Sequence, residues 1–155
     1  MRISARTDYA IRVLVELAAD TGRPLTCEGI ASSQQIPYRF LKAVVRDLRQ
    51  AGLVRSRRGC EGGYWLGRPA GSISLADVVA AVDGELLTVN GEAPESLEYP
   101  APAERVDALW RALRAHVSEL MAAVTIADLT TDTPGEAARA LLGTGLAALS
   151  AAATV

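Results

Sequence analysis

From Thr7 to Asp20 the apolar residues Tyr9, Ala10, Val13, Leu14, Leu17 and Ala18 recur at helical spacing, and Thr21-Gly22 closes the run. A short second helix is expected to Ser32 behind Thr26 as N-cap, with Glu28 in its first turn. Pro37 suits the first position of a third helix running to Ala51, with Gly52 at C′. That helix carries an apolar stripe of Phe40, Leu41, Val44, Val45 and Leu48, while Arg39, Lys42, Arg46 and Arg49 share another face. Two short strands, Leu53 to Arg57 and Tyr64 to Gly67, follow around an Arg58–Gly63 turn, with glycines where a hairpin needs unusual φ. In that hairpin Tyr64 is expected to pack inward. Ser74 then caps a fourth helix, Leu75 to Val82, with Asp77 placed to complete a capping box.

Residues 84–103 hold three prolines and two glycines without periodicity and read as a loop. A long helix from Glu104 to Thr125 comes next. Its seam of Val106, Trp110, Leu113, Val117, Leu120 and Val124, widened by Leu109 and Met121, is spaced for packing against another long helix. The chain offers no second long helix of matching quality, so the natural partner is the same helix of another copy or the first helix of this one. A short apolar turn, Ile126 to Leu129, and an alanine-rich tail finish the sequence.

Charge changes this picture most. Residues 1–70 carry 12 Lys and Arg against 6 Asp and Glu, whereas residues 71–155 carry 4 against 12. The overall charge of −2 thus conceals a basic half that suits a polyanion and an acidic half of another kind. Two cysteines make no disulfide scaffold, and neither a signal peptide nor a convincing membrane span is legible, so a cytoplasmic protein without membrane association is expected.

Two short helices, the second with a basic face, followed by a basic hairpin, outline a winged helix-turn-helix. The fold class expected is mainly α with a small β-hairpin and a long dimerisation helix. A helix of this kind enters the major groove of double-stranded DNA, and a basic wing reaches phosphates or the neighbouring minor groove. The candidate DNA-binding residues are Tyr38, Arg39, Lys42, Arg46 and Arg49 on the helix, with Arg55, Arg57, Arg58, Gly59, Gly62 and Gly63 on the wing. The alternative is a winged-helix protein-interaction module that reads no operator. Nothing supports an enzyme: phosphate-binding loops, H-E-x-x-H and Cys-x-x-Cys are absent, and the only histidine, His116, sits within the long helix.

The stretches MRISARTDYAIRVLVELA, IPYRFLKAVVRDLRQAGLVRSRRGCEGGYWLGRPAGSISLADVVAAVDG and TIADL resemble the Rrf-two family of bacterial transcription regulators. The match is close over roughly the first 85 residues and one of layout beyond. It implies a homodimer that binds a palindromic operator, usually as a repressor. It implies a DNA-binding domain over 1–83, a loop over 84–103, a dimerisation helix over 104–125 and a short helix with a tail over 126–155. Pro37 to Gln50 would be the recognition helix and Arg55 to Tyr64 the wing.

Two departures qualify the resemblance. Cluster-binding members place three cysteines in the loop before the dimerisation helix, and this loop has none; a variant arrangement uses an acid and a histidine of the first helix, where this chain has Asp8 and Arg12. No cofactor is therefore expected, an iron–sulfur cluster included. In the recognition helix, the family's frequent Leu-Glu-Gln reads Leu41-Lys42-Ala43, which implies a different operator. Three modes of control remain open. One is a small-molecule effector or partner protein at the loop and dimer interface, with Tyr99 and Trp110 as conceivable contacts. Another is a redox switch at Cys60, whose neighbouring arginines favour a thiolate. The third is constitutive repression set by abundance.

Overall fold

The apolar stripe of the first helix becomes the spine of the core. In the computed structural model, which describes residues 3–19, 23–59, 61–131, 135 and 139, helix α1 spans Ala5–Ala19 and buries Thr7, Ala10, Val13, Leu14 and Leu17. The expected stop at Thr21-Gly22 lies outside the described residues. Thr7 is buried without penalty because its hydroxyl donates to Asp83 Oδ2 at 2.6 Å, tying α1 to the end of a later helix.

Helix α2 (Cys27–Ser33) starts as expected, with the Thr26 hydroxyl accepting from Gly29 N at 3.0 Å. Helix α3 (Tyr38–Gln50) starts one residue later than expected. Pro37 is its N-cap, a place where the missing N–H is equally harmless. Leu41, Val44, Val45 and Leu48 are buried, but Phe40 is 47% exposed. About 100° of helical rotation separates Phe40 from Leu41 and carries it off the edge of the stripe. Its ring lies instead beneath the Arg39 guanidinium, 4.8 Å from the centroid.

Strands β1 (Val54–Arg57) and β2 (Gly63–Leu66) pair antiparallel with Arg55 opposite Trp65 and Arg57 opposite Gly63. Leu25 joins the hairpin through paired bonds with Tyr64, 3.2 and 2.9 Å, which anchors the wing to the segment before α2. In the turn, Gly59 adopts φ +116°, and a Cβ on Gly62 would collide with the Arg57 carbonyl oxygen. Tyr64 packs against the core from the wing, as its strand position suggested.

Helix α4 (Leu75–Val82) has the full capping box: Asp77 N donates to Ser74 Oγ at 3.1 Å and Ser74 N to Asp77 Oδ2 at 3.0 Å. Together α1, α3 and α4 enclose the core. The 84–103 loop contains a bridge between Val89 and Glu92 and a single 3₁₀ turn, Pro94–Ser96. Helix α5 (Val106–Ala123) buries none of its residues. It ends before Val124, which is 2% exposed and belongs to the core. Val124 therefore leaves the seam expected for the long helix. The chain turns extended there: Leu75 N donates to Val124 O and Ile126 N to Ile73 O, both at 2.9 Å, sewing the exit of α5 to the cap of α4. Ile126, fully buried, seals this junction before a 3₁₀ turn, Ala127–Leu129. Most of the alanine-rich tail lies outside the described residues. Among those described, no helix is long and apolar enough to cross a membrane.

Candidate nucleic-acid interface

Burying one face of α3 leaves the opposite face to solvent, and Arg39, Lys42, Arg46 and Arg49 are all exposed there. Asp47, on the flank of that face, pairs with Arg6 of α1 at 2.5 Å and with Arg46 at 3.2 Å. The two arginines are thereby held beside the basic face. Arg49 reaches across to the wing, where its Nη1 donates to Ser56 Oγ at 3.4 Å.

A groove of about 440 Å³ opens between the start of α2, helix α3 and the wing. It brings together Tyr38, Lys42, Arg49, Arg57, Arg58, Gly59, Gly62 and Gly63, eight of the residues expected at a DNA interface. Arg39 and Arg46 stand outside it on the same helix. Arg55 turns onto its own hairpin, its Nε donating to Leu66 O at 3.3 Å. Cys60, the expected switch at the wing tip, lies outside the described residues.

The groove also contains residues the sequence did not single out for this site. Cys27 and Tyr64 line it together and share a side-chain hydrogen bond. Burial pushes the Cys27 thiol above its ordinary range, outweighing the Tyr64 hydrogen bond, and burial likewise raises Tyr64. Glu28 stands at the groove as a carboxylate among cations. The Tyr38 hydroxyl donates to its Oε1 at 2.7 Å, which holds Glu28 below the usual carboxylate range and raises Tyr38. Lys42 Nζ sits 5.4 Å from the centroid of the same tyrosine ring. The sequence signal for this cluster was present only as an acid in the first turn of α2, and it pointed to helix capping.

The long helix presents a different surface. Val106, Trp110, Val117 and Leu120 are half-buried, while Leu109 and Leu113 are 59% and 40% exposed. Among the described residues, the buried Trp110 indole nitrogen has no hydrogen-bond partner. The Nδ1 of His116 lies 2.8 Å from Ala112 O on its own helix. A smaller cavity, about 140 Å³, lies between α4, residues 84–87 and α5. Val79, Leu87, Val117 and Met121 line it, and neither Tyr99 nor Trp110 does. Arg114 closes its rim in ion pairs with Glu85, at 3.3 Å, and Glu95.

Residues 3–132 match the family described as "Rrf2: Iron-dependent Transcriptional regulator". Among the described residues, the donors do not fit an iron–sulfur cluster. The 84–103 loop supplies no thiol, Asp8 is engaged by Arg12 at 3.3 Å, and Cys27 is buried against Tyr64. Among the described residues no group of three or more histidines, cysteines or carboxylates is placed to hold a metal ion.

The chain is 42% identical over 130 residues to the Mycobacterium tuberculosis protein named as HTH-type transcriptional regulator Rv1287, covering 83% of this chain and 81% of that one. It is 35% identical to the HTH-type transcriptional regulator CymR of Bacillus subtilis, covering 88% and 94%. The solved structure of CymR, the global cysteine regulator of B. subtilis, superposes with a TM-score of 0.73 at 34% identity, over 86% of this chain and 98% of that one. The T. potens IscR structure gives 0.68 at 26% identity, over 83% and 85%. With a capped helix pair, a basic third helix and an anchored wing matched over most of its length, this chain belongs to the Rrf2 family of winged helix-turn-helix transcriptional regulators.

Proposed function

We propose that the protein acts in the cytoplasm as a homodimeric repressor at a palindromic operator, with α3 in the major groove and the wing against the adjacent backbone. One observation carries the reading: Lys42 and Arg49 of the exposed basic face of α3 line one groove together with Arg57 and Arg58 of the wing. Lys42, Arg46 and Arg49 would neutralise phosphates or reach base edges, and Arg57 and Arg58 would extend the contact. Tyr38, Arg39, Arg55, Gly59, Gly62 and Gly63 complete the surface.

The dimer reading rests on α5. An 18-residue helix with no buried residue and exposed leucines on its apolar seam needs a cover, and a second copy of the same helix is self-complementary. Such a partner would also cover Trp110, whose indole N–H lacks an acceptor among the described residues. A two-fold dimer in turn calls for a two-fold operator.

The test is selection of binding sites from a random duplex pool, followed by salt-titrated binding to the enriched sequence. A palindromic site and a steep salt dependence are expected, and Arg46→Ala should flatten the log–log salt slope by about 0.9. Failure to enrich any sequence, with binding indifferent to salt, would favour the protein-interaction alternative.

A further inference from the structure

Within the cationic groove the misfit is Glu28. Among the described residues four cations line the space, Lys42, Arg49, Arg57 and Arg58, and a single carboxylate faces them. Glu28 is exposed, so burial does not explain its placement. It also serves the start of α2, accepting from its own backbone N–H beside the Thr26 cap on Gly29 N. Its carboxylate is further fixed by Tyr38, at 2.7 Å, from the first residue of the recognition helix. The ring of Tyr38 in turn carries the Lys42 ammonium. Acid, phenol and lysine form one chain of contacts running from α2 onto the reading face of α3.

We propose that Glu28, held by Tyr38, is a specificity-determining residue of the DNA interface that acts by repulsion. This rests on the DNA-binding reading above. Phosphate contacts carry no sequence information, so an all-cationic groove would grip any duplex in any register. A fixed carboxylate in the same groove penalises every pose that brings a phosphate against it. It is tolerated only where α3 is seated so that the acid meets a donor, and in the major groove the donors are the exocyclic amines of cytosine and adenine. Unrelated DNA thus loses affinity that the operator keeps.

The experiment compares parent, Glu28→Gln and Glu28→Ala for binding to the selected operator and to an unrelated duplex of equal length, across a salt series. Glu28→Gln is expected to tighten binding to the unrelated duplex by about fivefold or more, the scale of one like-charge contact relieved near a protein surface. Operator binding should change by less than half that factor in Glu28→Gln, so the specificity ratio falls; Glu28→Ala should tighten the unrelated duplex likewise while weakening the operator, where the acceptor is lost. The salt slope on unrelated DNA should steepen by about 0.9, one further phosphate engaged. Equal tightening on both duplexes would reduce Glu28 to net charge and overturn the proposal, as would an unchanged or higher ratio. If the parent itself binds no selected duplex in a salt-dependent manner, the DNA reading fails and this inference fails with it.

Discussion

Replacing Ile126 by alanine should cost far more stability than its place beyond the last long helix suggests. The side chain is fully buried, and the backbone at Val124 and at Ile126 itself is hydrogen-bonded to the strand-like entry of α4. Ile→Ala removes three carbon groups, worth about 2.4 kcal/mol of transfer free energy at ~0.8 kcal/mol each. A residual cavity of about 80 Å³ would add about 2 kcal/mol at ~24 cal/mol per Å³ if nothing collapsed into it. The expected loss is therefore about 2.4–4.4 kcal/mol, a large part of a stability of roughly 5–15 kcal/mol. In a chain of this size that lowers the midpoint of thermal unfolding by about 10 °C. The assay is urea unfolding at one fixed protein concentration, because any self-association contributes to apparent stability. Ile126→Val, which keeps most of the volume, should cost about 0.5–1.5 kcal/mol. An Ile126→Ala loss no larger than the valine variant's would refute the packing argument and detach this segment from the core.

Three further outcomes follow from the same geometry. Ser74→Ala removes one half of the α4 capping box and should cost about 1 kcal/mol, read by thermal or urea unfolding; no measurable loss would mean that water replaces the cap fully. Leu113→Glu places a charge on the exposed seam of α5 and should convert the proposed dimer to monomer in sedimentation without lowering helix content; an unchanged dimer would put the interface elsewhere. Cys27 and Tyr64 both sit above their ordinary values through burial, so each contributes stability that is complete below its unfolded value and is lost as pH rises through the raised folded value. In a Cys60→Ser background, unfolding free energy should decline from about pH 8 into the alkaline range, the region of unperturbed thiol and phenol titration, and Cys27→Ala should flatten the early part of that decline; an identical profile would remove Cys27 from the account.

Periodicity and capping chemistry were legible wherever a structure is decided within a few residues. Thr26 and Ser74 cap because their hydroxyls reach backbone N–H groups three positions on. The buried stripe of α3 is visible because helical rotation brings Leu41, Val44, Val45 and Leu48 to one side. The limits appear at edges. Phe40 looked like part of the stripe, but its burial depends on how far neighbouring elements wrap around α3, which spacing does not encode. Val124 continued the seam in register, and the helix nonetheless ends at Ala123. The run Val124-Thr125-Ile126 is β-branched throughout and favours extended backbone, a signal available in the sequence and outweighed by the heptad-like pattern before it.

What the sequence determined alone was the order and type of the elements, the basic face of the third helix and the absence of cluster cysteines from the loop, because these follow from local backbone preference, charge and residue identity. Tertiary structure alone decided that Ile126 closes the core, that Cys27 lies beside Tyr64, and that Glu28 faces the cations of the wing. Each of those placements joins residues from separate segments of the chain. Their chemistry arises from proximity, set for Cys27 and Glu28 when α2, α3 and the hairpin pack together and for Ile126 when its segment pairs with the entry of α4.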